Sequence, residues 1–267
     1  MKKTVSVLLA FMLCVLLIGC SNQKAAEGTP VQIDYDAATV SYLGPEGTYT
    51  QEACEKFFDG KGGYLPYETV PKAVQALTEG KSNYAVIPQE NTIGGAVIDY
   101  VDTLIASENV SVVGEVELPI SQNLLVLPGT ALDDIKTVYS HKQGIAQGKE
   151  WLAKNLPNAE VIEASSTAEG AKTVADRKDK SCAAIASAGC ADVYGLEILA
   201  SGIQNTEKHK PRFYVLSKEA PATAASDRLA FIASGSAQNL PKLTAEMDKL
   251  GITLVTLHDR PVPPSPN

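Results

Sequence analysis

Apolar residues recur in two rhythms along the body of this chain. Short runs such as Val40-Ser41-Tyr42-Leu43 and Tyr84-Ala85-Val86-Ile87-Pro88 predict buried strands. Between such runs the spacing changes to helical. Thr48 opens a segment carrying Cys54, Phe57 and Phe58 on one face, and Gln51, three residues on, completes a capping-box pattern. Tyr64 to Val70 reads as extended, and Pro71 starts a helix through Leu77 that Gly80 ends. Val97 to Ile105 reads as a helix, Val110 to Leu118 and Ile120 to Leu127 as strands. A second block repeats the style. It has strands at Thr137 to Tyr139, Ala159 to Glu163 and Cys182 to Ile185, with helices from Gln143, from Thr167 and up to Tyr194. The chain then returns through the strand Phe213 to Leu216.

Strands alternating with helices of this length predict parallel sheets covered by helices. Two such blocks predict an α/β fold of two lobes with a cleft between them. Ligands in such folds sit beyond the carboxyl ends of strands, where helix N-termini offer free N–H groups. After the linker-like stretch 219–226, the pattern predicts a strand from Arg228 to Ala233, a helix from Leu240 to Leu250 and a strand from Ile252 to Leu257.

The first twenty residues change the picture. Two lysines precede an uncharged run from Thr4 to Gly19, the form of an export signal and short for a membrane span. Residues 21–38 are small and polar and read as a tether. Net charge is −8, and no Lys/Arg run is longer than the pairs Lys2-Lys3 and Arg177-Lys178, so nucleic-acid binding has little electrostatic support. Cys54, Cys182 and Cys190 lie in apolar runs and read as small core residues. The three histidines, His141, His209 and His258, have no metal-ligand spacing.

Polar residues gather at the predicted strand ends. They are Thr48 after the turn Gly44-Pro45-Glu46-Gly47; Glu90, Asn91 and Thr92 after the third strand; Ser140, His141 and Gln143 after the strand at Val138; Thr167 at a helix start; and Arg212 at the mouth of the returning strand. One cation, several hydroxyls and amides, and helix N-termini suit a small carboxylate. Each piece alone has a structural reading: a capping threonine, a hydrogen-bonded histidine, a satisfied turn, a surface ion pair.

Taken in order, these segments resemble the prephenate dehydratase family. YLGPEGTYTQEA, IPQENTIGGAV, VYSHKQGIAQGKEWL, SSTAEGAKTVA and HKPRFYVL are similar to its successive motifs, over about residues 39–218. The resemblance implies a two-lobed fold like that of type II periplasmic binding proteins. It implies conversion of prephenate to phenylpyruvate with loss of water and carbon dioxide, without a cofactor or metal. Arg212 would grip a carboxylate as a fork. Thr48, Glu90, Asn91, Thr92, Ser140, Gln143, Gln147 and Thr167 would line or brace the pocket. The run ending in Cys20 resembles a lipobox, which implies a lipid anchor on its sulfur and an extracytoplasmic place on the bacterial cell membrane. Residues 227–267, with GITLVTLHDRP, resemble part of a regulatory ACT domain. Leu240, Arg260 and Pro261 are its surviving allosteric positions, and the unit lacks further strands and a helix. Family members with a complete ACT domain pair through it, which raises a homodimer as a partner state.

The departures fall on chemistry. The family's catalytic threonine before the arginine is Pro211 here, and its asparagine two residues earlier is His209. Proline has no hydroxyl to donate. Two readings follow: a dehydratase in which His141, His209 or Lys210 donates the proton, or a lipoprotein that binds prephenate-like or aromatic acids without turning them over.

Overall fold

The computed structural model describes residues 33–91, 95–96, 98–206, 210–219, 228–233 and 235–258, without the side chains of 90, 91, 95, 96, 98 and 99. Cys20, Thr92, His209, Arg260 and Pro261 lie outside the described residues, as does most of the tether. The chain divides into two units, Met1–Val31 with Pro221–Leu229, and Gln32–Ala220 with Ala230–Asn267. The two sheets and the candidate site lie in the second.

It contains two sheets. The first uses β1 (Thr39–Leu43), β2 (Gly63–Tyr67), β3 (Tyr84–Asn91), β4 (Gly95–Ala96), β5 (Ser111–Glu117) and β11 (Arg212–Ser217), in the order β2-β1-β3-β11-β5 with β4 paired to β3. The second uses β6 (Asn123–Val126), β7 (Thr137–Ser140), β8 (Glu160–Glu163), β9 (Cys182–Ala186) and β10 (Glu197–Ala200), in the order β10-β6-β9-β7-β8. The expected two-lobed α/β fold is therefore present. The sheets are mixed rather than parallel: β1 runs parallel to β2 and β3, but β11 is antiparallel to both β3 and β5, and β6 is antiparallel to β9 and β10. The reason is topological. β11 re-enters the first lobe from the second, so it meets β3 from the opposite end.

The strands form where the apolar runs predict. Val40, Tyr42, Val86, Phe213 and Val215 fill one core on one face of the first sheet. Ala85, Ile87 and Leu216 face the other way into a second core with Val70, Val74 and Tyr100. Ser41 is fully buried, and its hydroxyl donates to the carbonyl of Ala73 at 2.7 Å, so this polar interruption of β1 is satisfied. The second sheet is covered on both faces. The helices are α1 (Tyr49–Phe57), α2 (Val70–Thr78), α3 (Ile98–Ala106), α4 (Lys142–Asn155), α5 (Thr167–Arg177), α6 (Gly189–Tyr194) and α7 (Leu240–Lys249). Before β1, Tyr35 already packs on the body, its ring edge-on to Phe58 at 5.7 Å.

The C-terminal expectation is only partly met. α7 forms, but 228–233 and 252–257 are not strands. Phe231 is 53% and Val255 67% exposed. Both segments have high β-propensity and no ladder to join, and propensity without a partner strand does not make a sheet.

Candidate functional site

Two crossovers join the lobes, and the candidate residues stand on the strand ends above them. The crossovers are stitched together: the Ile203 amide donates to the Gln122 carbonyl at 2.9 Å, and the Gln122 amide to Gln204 Oε1 at 2.9 Å. Gln122 Nε2 also donates to Gln147 Oε1 on α4 at 2.7 Å, with both side chains buried. Gln147 thus braces the base of the second lobe against the crossover, a role the sequence reading allowed without naming its partner.

The loop after β1 is held from both sides. Gly47 adopts φ +81°, where a side chain is strained, and a Cβ there would come 2.8 Å from Cys190 Sγ. Its carbonyl accepts from Ser187 Oγ at 2.6 Å and from Cys190 Sγ at 3.0 Å, and the Tyr194 hydroxyl donates to the Glu46 carbonyl at 2.9 Å. The end of β1 therefore meets the end of β9 and the start of α6 across the lobes. Burial pushes the Cys190 thiol up to about 11, so it stays a neutral packing group. The free cysteines Cys54, Cys182 and Cys190 are all buried, as their apolar surroundings predict.

The expected capping box at Thr48 is not formed. Thr48 is the N-cap of α1 but makes no side-chain cap bond; its hydroxyl donates to the Leu43 carbonyl at 3.2 Å. Gln51 reaches one residue further back, accepting from the Gly47 amide at 2.8 Å and from the Tyr42 hydroxyl at 2.9 Å. The tight turn at Gly47 brings that amide into range first.

In the second lobe, Ser140 is fully buried and donates to the Ile185 carbonyl at 2.6 Å, tying β7 to β9. It braces rather than lines. His141 is the N-cap of α4, with Nδ1 accepting from the Gln143 amide at 3.4 Å. That bond fixes the neutral tautomer with its proton on Nε2. Burial, helped by neighbouring Lys142, holds its pKa below the ordinary 6.5. The cap of α5 is Ser166, accepting from the Glu169 amide at 3.0 Å, not Thr167 as expected. Thr167 begins that helix, and its methyl group would lie 3.2 Å from a Cβ on Gly144.

One prediction arises from His141. The folded state favours the neutral ring, so stability should fall as pH drops through 6.5 toward the lowered folded value, then level off. His141→Asn keeps a capping oxygen and removes the titration. Melting curves between pH 7.5 and pH 5 should show the mutant losing less stability; parallel curves would contradict the assignment.

Arg212 opens β11 opposite Glu90 of β3 and Glu117 of β5. Its Nη1 lies 3.8 Å from Glu115 Oε1, with side chains 19% and 25% exposed. Pro211 is buried, and its carbonyl accepts from the Leu118 amide at 3.1 Å, so the proline is pinned to the segment that leaves β5. Lys210 is exposed. Thus Arg212 and the backbone positions of Glu90 and Asn91 share one corner of the first sheet. Glu115 was not anticipated, although a glutamate inside the apolar run Val112 to Val116 is a signal that the strand meets a cation. A cavity of about 620 Å³ lies elsewhere, between α2 and α3. Its lining includes Asp102 and Glu108 and no cation among the described residues, which suits an anionic ligand poorly.

Comparison with known proteins agrees with this layout. The prephenate dehydratase family profile matches residues 40–221. A bifunctional chorismate mutase/prephenate dehydratase of Neisseria gonorrhoeae is 35% identical over 225 residues, covering 84% of this chain and 62% of that protein. The chain thus spans about three fifths of such bifunctional relatives. A prephenate dehydratase of Corynebacterium glutamicum is 34% identical over 237 residues, covering 85% of this chain and 75% of its own. Among solved structures, the prephenate dehydratase of Arthrobacter aurescens in complex with L-Phe superposes with a TM-score of 0.73 at 26% identity, covering 84% of this chain and 76% of that one. By sequence, motif order and fold, the chain belongs to the prephenate dehydratase family.

Proposed function

We propose that the protein acts on prephenate, removing water and carbon dioxide to give phenylpyruvate. The observation that carries this is Arg212 at the start of β11, held between the ends of β3 and β5 in a family member. Prephenate is a dianion with a secondary ring hydroxyl. The C–C bond to the ring carboxylate breaks, its electron pair enters the ring, and the hydroxyl departs with a proton as water. The ring becomes aromatic. The chain has to hold the dianion, orient it and supply that proton. Arg212 grips a carboxylate, and the N-terminus of α1 behind Thr48 offers amide N–H groups.

Pro211 cannot be the donor. His141 is held neutral, which makes its Nε2–H a hydrogen-bond donor to the leaving oxygen rather than a source of a full proton at neutral pH. His209 and Lys210 directly precede Pro211 in sequence and are the remaining candidates. The second reading, binding of prephenate-like acids without turnover, is favoured by the same buried proline. Full-length protein in detergent should convert prephenate to phenylpyruvate, read by the product's absorbance at alkaline pH. A rate no greater than the spontaneous one, with calorimetric binding retained, would leave only the binding reading.

Two further parts belong to this proposal. A lipid on Cys20 would hold the protein on the outer side of the bacterial cell membrane; labelling with a radioactive fatty acid that persists in Cys20→Ser would refute it. The segment from 227 onward is a partial ACT-like unit, and a homodimer would form through it; a monomer in light scattering would count against that pairing.

A further inference from the structure

The reaction needs a proton donor that Pro211 cannot supply, and one hydroxyl at the meeting of the lobes has no part in the mechanism above. Tyr49 is the first residue of α1, next to Thr48. Its ring is half-buried and packs against the core of the first sheet. Its hydroxyl leaves that core and donates to the Ser121 carbonyl at 2.9 Å. Ser121 is exposed, and it belongs to the segment 118–122 that leads from β5 to β6. Asn123, which opens β6, donates its side-chain amide to the same carbonyl at 3.2 Å and to the Ala186 carbonyl of β9 at 3.3 Å. The phenol therefore stands where the start of α1, the crossover and the end of β9 come together, beside an exposed stretch of chain.

The same segment sets how far the phenol lies from the arginine. At one end the Leu118 amide donates to the carbonyl of Pro211, the residue before Arg212; near the other, Ser121 holds Tyr49. Three residues of extended chain span at most about 10 Å. That is the scale of one ring with a carboxylate at one end and a hydroxyl at the other. Burial, with Glu52 and Cys190 nearby, holds the Tyr49 phenol well above its ordinary value, so it keeps its proton at neutral pH. A weak acid is adequate for this step, because the oxygen it serves is becoming hydroxide, a far stronger base. The threonine implied by the family resemblance would be a weaker acid still.

We propose that Tyr49 is a catalytic residue of the dehydration: its hydroxyl turns from the Ser121 carbonyl to the ring hydroxyl of prephenate and protonates it as it leaves. The C–C bond to the ring carboxylate breaks and releases carbon dioxide. Its electron pair enters the ring, the C–O bond breaks, and the departing oxygen takes the phenolic proton to become water. The phenolate left behind recovers a proton from solvent on the exposed side at Ser121. This rests on the reading of the site as a prephenate site.

The test uses full-length protein in detergent, with turnover and calorimetric affinity for prephenate measured on each variant. Tyr49→Phe should lower kcat about 10²-fold while KM stays within about threefold, since a proton donor is lost and the ring remains. A fluorotyrosine placed at position 49 by nonsense suppression keeps the ring and the hydroxyl but makes it a stronger acid, so kcat should rise severalfold. A tyrosine that only clasps the crossover would respond to neither acidity nor kcat, and its loss would appear in KM and the melting temperature. An unchanged kcat in Tyr49→Phe, or in the fluorotyrosine protein, overturns the inference while leaving the site reading intact. Wild-type protein that binds prephenate without turnover overturns the inference and leaves the binding reading. Wild-type protein that neither binds nor turns it over overturns the site reading as well. Should Tyr49→Phe fail to fold, the fluorotyrosine protein alone decides.

Discussion

Arg212→Gln is expected to lower kcat/KM for prephenate by about 10²–10³, most of it in KM. Truncating one member of a desolvated, hydrogen-bonded charge pair typically costs about 2–5 kcal/mol. Arg212 is half-buried at the end of a sheet, so water cannot fully replace its fork. Thermal stability should move little. The contact with Glu115, at 3.8 Å, is long for an ion pair and contributes correspondingly little. Steady-state kinetics and a melting curve on the same variant separate the two effects. A variant that melts early but retains its KM would show that Arg212 holds the sheet and not the ligand.

Pro211→Thr is expected to raise kcat by about 10² or more. A positioned acid contributes about 10²–10⁴, and the resemblance implies a family hydroxyl where the prolyl ring stands here. The backbone there is fixed independently of the ring, because the Pro211 carbonyl already accepts from Leu118 and Arg212 is already in register with Glu117. Threonine has high β-propensity and fits a strand start. The substitution therefore adds a hydroxyl without having to rebuild the corner. A kcat that stays level would mean that the proton comes from another group, with His209 and Lys210 the nearest in sequence. A variant that gains binding but no rate would favour the pocket's use as a receptor.

The apolar rhythm made the two lobes legible, because buried strands and amphipathic helices differ in period. It could not show that β11 runs antiparallel, since Phe213 to Leu216 has the same composition in either direction. β10 was missed because Glu197-Ile198-Leu199-Ala200 is short and half-exposed, on the edge of its sheet. The segments at 228–233 and 252–257 were misread for the opposite reason: their composition favours strands, but a strand is a property of a pair. Ser166 and Thr167 are neighbouring hydroxyls, and only backbone geometry at the helix start decides which one caps. At the site, the cation and the helix starts were legible as residue types at strand ends. Glu115 and the Gln122–Gln147 pair were not. Their roles come from register and from amides meeting across a crossover, and neither leaves a local pattern.

The place of β11 in the first sheet has a consequence for how the protein comes into being. β3 is complete at residue 91, yet the strand that covers its far side begins at Arg212. During synthesis the first lobe must wait, with an apolar strand edge open, until the whole second lobe has emerged and the chain has come back. Long-range closure of this kind is slow, and open edges attract other chains. The last residue to join the candidate corner is the arginine it is built around. A nascent or truncated chain ending before that return would hold most of the fold's helices and most of its strands, and still lack the arginine fork for a carboxylate.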